Sequence, residues 1–174
     1  MGMDWYYKRQ QKDEGMIINF SNEPIKKELK SIFLAGPTLR GKPYNNSWRK
    51  YACKKLNELG FDGLVYVPEF ESGNMKPDLT KQASWEREGL QNATVILFYI
   101  PRKLPELPGF TTNVEFGMWL AKKPDSCELC IPKNAEKINY LKWLWNIELQ
   151  EKPIYTDLDE ALSAIVMNLR VKNK

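Results

Sequence analysis

Glu115 stands in the segment Thr111 Thr112 Asn113 Val114 Glu115 Phe116 Gly117, where a helix is predicted to begin beyond the carboxyl end of an apolar strand. Ligands of open α/β sheets bind at that end, so a carboxylate there is placed for reaction. The expected cap is Thr111, Thr112 or Asn113, and the positive end of the helix should hold Glu115 ionised. An ionised carboxylate can attack an anomeric carbon, because the oxocarbenium-like transition state carries positive charge on the sugar. That chemistry requires no metal and no cofactor.

A second polar group comes from Gln82 Ala83 Ser84 Trp85 Glu86 Arg87 Glu88 Gly89 Leu90. Gln82 and Glu86 share one helix face at i, i+4 spacing, as do Trp85 and Gly89. Two readings stand: a rim face offering Gln82, Glu86 and Trp85, or a solvated charge cluster of Glu86, Arg87 and Glu88. Gly36 Pro37 Thr38 Leu39 Arg40 Gly41 forms the third group. Its glycines permit close backbone approach and Arg40 can hold an anion, against the plainer reading of a strand-exit turn. It lacks the spacing of a dinucleotide fingerprint and the ending of a P-loop. Arg40, Lys42 and Arg49 together suit a 5′-phosphate, or else form a solvated face.

The elements that must position these groups alternate. Strands are predicted over residues 32–35, 64–67, 95–100, 128–131 and 153–155, and helices over 48–59, from Asp78 or Thr80 to 91, and over 112–122, 137–145 and 158–169. Asn46 or Ser47 caps the first helix and Gly60 stops it. Continuously apolar strands joined by helices imply a parallel sheet covered on both faces. The expected fold is a single-domain, flavodoxin-like α/β unit. Its open, mostly parallel five-stranded sheet has the order 2-1-3-4-5. Residues 1–30 stand outside this unit, as an extension whose 16–20 run forms a strand or hairpin on the core, or as a mobile arm.

Composition narrows the chemistry. At 174 residues and 43% apolar content the chain suits one domain. It contains no histidine, which excludes a His-dependent hydrolase and a phosphoramidate intermediate. Three cysteines without a paired framework point to the cytoplasm. Cys127 and Cys130 have metal-like spacing but no second pair, so strand cysteines are expected and no metal site. A charge of +4 spread along the chain does not call for nucleic acid, and no apolar run is long enough for a membrane span.

Across roughly residues 31–123 the chain resembles the nucleoside 2-deoxyribosyltransferase-like family. The matching segments are Ser31 Ile32 Phe33 Leu34 Ala35 Gly36 Pro37 Thr38, Trp85 Glu86 through Leu90 to Ala93, and Thr112 Asn113 Val114 Glu115 Phe116 Gly117. The resemblance implies a double displacement: Glu115 attacks C1′ of a 2′-deoxyribonucleoside or its monophosphate and expels the base. The glycosyl ester then passes to a free nucleobase or to water. Glu86 matches the carboxylate that helps place sugar or base, and a burial-raised pKa would fit it to protonate the leaving base. Asn113 either contacts sugar hydroxyls or caps the helix. Two departures matter: Phe33 replaces an aromatic hydroxyl, and Pro108, Gly109 and Phe110 replace the usual aspartate before the nucleophile.

Gly36, Pro37, Thr38, Arg40, Trp85, Phe110 and Asn113 are thus the expected substrate contacts, with Trp85 and Phe110 as base-stacking surfaces. Trp119 is read as core or dimer packing, and the 140–145 segment as packing or oligomer contact. A homodimer or higher homo-oligomer is implied by the resemblance. Two alternatives stay open: a glycohydrolase that cleaves NAD, and a non-catalytic nucleotide-binding module.

Overall fold

The computed structural model describes residues 15–39, 44–72 and 78–171. Six parallel strands form one sheet: β1 (Ile17–Phe20), β2 (Ser31–Ala35), β3 (Leu64–Val67), β4 (Val95–Tyr99), β5 (Cys127–Cys130) and β6 (Ile154–Tyr155). Their order is β1-β3-β2-β4-β5-β6. The five expected strands keep their 2-1-3-4-5 order, and the 16–20 run adds a sixth at the edge. That run is a strand paired parallel to β3, with Ile17 opposite Leu64; Tyr6 and Tyr7, the other residues of the expected strand or hairpin, lie outside the described residues.

Among the described residues five α-helices cover the sheet: α1 (Trp48–Glu58), α2 (Leu79–Asn92), α3 (Phe110–Lys122), α4 (Asn139–Glu148) and α5 (Leu158–Val171). The alternation of side chains along buried strands separates two cores. Phe33, Tyr66, Phe98 and Leu129 pack under α2, α3 and α4, while Ile32, Leu34, Val65 and Leu97 pack under α1 and α5. Cys127 and Cys130 fall into opposite cores, so they cannot share a metal ion.

Local signals explain the helix ends. Ser47 caps α1 by accepting from the Arg49 amide at 3.1 Å, and Asp78 caps α2 through Thr80 at 2.8 Å. The start of α3 differs from expectation. Its cap position is Gly109, in the left-handed conformation at φ 61°, with no side-chain cap bond. Thr111, Thr112 and Asn113 therefore lie inside the first turn, and Glu115 follows in the second.

Between β2 and β4 the chain reverses its direction of progress across the sheet, because β2 leads through α1 to β3 and β3 returns through α2 to β4. Such a switch opens a crevice at the carboxyl ends of the strands. Gly36 fits there because a Cβ would stand 2.2 Å from the Tyr99 carbonyl oxygen.

Candidate active site

The crevice holds a cavity of about 490 Å³. The β2 exit contributes Gly36, Pro37, Thr38 and Leu39, the β3 exit Pro68, Glu69 and Phe70, α2 Gln82 and Glu86, and the α3 start Phe110, Thr112 and Glu115. Sequence distance thus collapses into one pocket, with the two expected catalytic carboxyls on facing helices.

Glu86 and Glu115 face the same cavity closely enough for each to shift the other's affinity for its proton. Burial, and then the Glu86 charge, push Glu115 up to about 8, while the Arg49 guanidinium pulls it down by less. Burial also raises Glu86, opposed by the hydrogen bond from Gln82. Two adjacent carboxyls in a shielded site cannot both ionise cheaply, so near neutral pH the pair carries one proton. Burial favours keeping that proton, and the two carboxyls share it. The expected rise at Glu86 is present, whereas the expected ionised Glu115 is not: Glu115 lies a turn beyond the helix end, where the dipole fades, and beside a second acid.

A buried ion pair supports the cavity floor. Arg49 and Glu69 are 1% and 5% exposed at their side chains and form a salt bridge. Arg49 also donates to the Leu34 carbonyl at 2.8 Å, the Gly36 carbonyl at 2.6 Å and Thr38 Oγ1 at 2.9 Å, while Ser47 Oγ donates to Glu69 at 2.7 Å. Arg49 was read as either a phosphate ligand or part of a solvated face. The structure instead commits it to tying the β2 exit loop to α1, because an arginine so buried needs internal acceptors. Glu69 is a cavity residue that sequence reasoning missed, although an acid directly after the apolar strand 64–67 carries the same positional signal as Glu115.

The remaining expected contacts divide. Gly36, Pro37, Thr38 and Phe110 line the cavity, and Phe110 is 72% exposed at its mouth. Trp85 does not line it. It turns into the core against Phe33 and Tyr66, with Nε1 donating to the Glu23 carbonyl at 3.1 Å. Gly89 makes this packing possible, since a Cβ would meet the Phe33 ring at 2.8 Å. Asn113 is also absent from the lining: its Oδ1 accepts from the buried Arg102, which donates in turn to the Lys137 carbonyl at 2.8 Å. Arg40 and Lys42 lie outside the described residues. Tyr44 also lines the cavity, where burial raises its hydroxyl well above the ordinary value.

Comparisons with known proteins fit this architecture. The family described as nucleoside 2-deoxyribosyltransferase like matches residues 29–134. Among solved structures, the 2-desoxiribosyltransferase from Leishmania mexicana is similar with a TM-score of 0.56. At 13% identity, over 79% of this chain and 97% of that one, the likeness is one of fold. No curated protein matches the sequence. The family match spans more than half of the chain and contains the cavity's β2 exit, both acids and the α3 start. The chain is therefore a member of the nucleoside 2-deoxyribosyltransferase-like family.

Proposed function

We propose that the protein cleaves the N-glycosidic bond of 2′-deoxyribonucleosides or their monophosphates through a covalent glycosyl-Glu115 ester, and passes the sugar to another base or to water. The observation that carries this reading is the pair of electrostatically coupled carboxyls, Glu86 and Glu115, lining the switch-point cavity. The pair holds one proton and one negative charge. Glu115 hands its proton to Glu86 and attacks C1′ as a carboxylate, while Glu86 gives the same proton to a ring nitrogen of the departing base. The C1′–N bond breaks as the C1′–O bond forms, and the neutral base leaves. In the second half Glu86 recovers a proton from the acceptor base or water, and the ester is displaced.

The wider reading follows the family. The catalytic unit covers residues 31–174, with residues 1–30 an extension that lengthens the sheet through β1. Its place is nucleotide salvage in the cytoplasm, a compartment that suits three buried free thiols. Among the described residues no helix is long and apolar enough to cross a membrane. A homo-oligomer is supported by exposed apolar residues on α3, Phe110 and Val114, and on α4, Tyr140, Trp143 and Ile147.

The test is base release and base exchange, followed by chromatography over deoxyribonucleosides and their monophosphates, with and without a second free base. Exchange that disappears in Glu115→Gln identifies a transferase, and release without exchange identifies a hydrolase. Turnover that survives in E115Q removes Glu115 from the mechanism. Silence across the panel in folded wild-type protein removes the reaction.

A further inference from the structure

Arg102 stands at the β4 exit, 5% exposed and outside the cavity lining. Its Nη1 donates to the Lys137 carbonyl at 2.8 Å and its Nη2 to Asn113 Oδ1, while its Nε finds no acceptor among the described residues. None of the ion pairs among those residues includes it. Burial pushes it below the ordinary arginine value, with no carboxylate to offset the cost. An aliphatic side chain would fill the same space more cheaply. What the guanidinium offers instead is a planar fork whose donors diverge to two separate points.

Those points belong to different elements. Lys137 precedes the start of α4 in left-handed backbone, at φ 51°, a conformation that costs a non-glycine residue and persists only where surrounding bonds hold it. Here the guanidinium holds the Lys137 carbonyl, and the neighbouring Glu136 amide donates to the Arg102 carbonyl at 3.1 Å. Asn113 lies in the first turn of α3, whose cap position makes no side-chain bond. Arg102 thus supplies, through Asn113, the polar tether that the cap lacks. Residues two apart on an α-helix point about 200° apart, so the turn is gripped from behind while Glu115 faces the cavity.

We propose that Arg102 is a positioning residue: by gripping Asn113 from the α4 entry it sets the rotation and height of the α3 start, and with them the separation of Glu115 from Glu86. Its effect on turnover rests on the glycosidic reading above; its effect on the pair of carboxyls does not. With the tether cut, the uncapped turn drifts and Glu115 moves away from Glu86 and toward water. Repulsion between the carboxyls and their shielding both weaken, so the pair gives up its remaining proton at lower pH.

Three variants test this. Asn113→Ala and Arg102→Lys break the fork and keep the cation, while Arg102→Met removes both; if R102M does not fold, the first two carry the test. Base release is followed across pH on the panel above. Independently of turnover, carbon-13 NMR follows labelled glutamate carboxyls, with the Glu86 and Glu115 signals assigned from E86Q and E115Q. In each variant kcat falls by about tenfold or more while KM stays within about threefold, since neither residue lines the cavity. The alkaline transition of the pair moves below about 8, by about half a pH unit or more, in both measurements. Combining N113A with R102M adds little to either alone, because one tether is cut twice. A transition that rises in R102M and stays put in N113A and R102K shows Arg102 acting through its charge and overturns the assignment. Lower thermal stability with the transition unmoved in all three overturns it as well, leaving Arg102 as scaffold. A shifted NMR transition alongside no base release by wild-type protein removes the glycosidic reaction and keeps Arg102 as the residue that positions Glu115.

Discussion

A carboxyl whose affinity for its proton is raised to about 8 makes Glu115 both a poor resting nucleophile and a source of instability. Activity in the proposed mechanism needs the singly protonated pair. The kcat/KM of the free enzyme should therefore fall as pH rises through about 8, where the pair loses its remaining proton and no acid is left for the base. It should fall again on the acid side, where Glu86 takes up a second proton and Glu115 cannot ionise. Glu86→Gln should cut turnover by about 10²–10⁴-fold and abolish the alkaline limb, read from a pH–rate profile. Stability carries the same sign. Because the folded-state value lies above the ordinary 4.5, the Glu115 contribution is fully present below 4.5 and is lost as pH rises through about 8. E115Q should be neutral for stability at pH 4 and stabilising by on the order of 1–2 kcal/mol at pH 9, measured by urea unfolding, with the cleft's solvent contact keeping the gain small.

At the scale of elements, the Arg49–Glu69 pair joins α1, the β2 exit and the β3 exit beneath the cavity. Arg49→Met leaves Glu69 buried without its cation and should cost about 3–5 kcal/mol in urea unfolding; adding Glu69→Leu should recover most of that. The strands were legible because 32–35, 64–67 and 95–100 are unbroken apolar runs ending at Gly or Pro. The caps at Ser47 and Asp78 were legible because one side chain decides each. What the sequence hid is non-local. The spacing that puts Gln82 and Glu86 on one face is a property of the helix, and the structure brings them to 2.7 Å. Whether Trp85 on a neighbouring face meets solvent or core depends on Phe33 and Tyr66, which are far away in the chain. Arg49 could not be separated from a solvated arginine until Glu69 was beside it, and Asn113 could not be assigned until Arg102 claimed it.

For the whole molecule, the family and the sheet order followed from segments spread over more than half of the chain. For the 16–20 run a strand was one of the readings, but its place beside β3 was not legible, because an edge strand has no neighbouring crossover to announce it. Exposed apolar side chains stand on α4, at Tyr140, Trp143 and Ile147, and on α3, whose Phe110 is at the cavity mouth. If a second copy covers this surface, Trp143→Glu should convert the assembly to monomers in sedimentation and lower turnover with it, while thermal unfolding shows the fold retained. The buried thiols have a further consequence. Cys53 is pushed up to about 11, and Cys127 and Cys130 to about 12, in a chain that contains no histidine. Imidazole and thiol signals, which crowd the neutral range in most enzymes, are missing from it here. Glu86 and Glu115 thus titrate against a quiet background, so infrared absorption of protonated carboxyl groups, followed from pH 6 to 9, can report the charge of the resting cavity without a label.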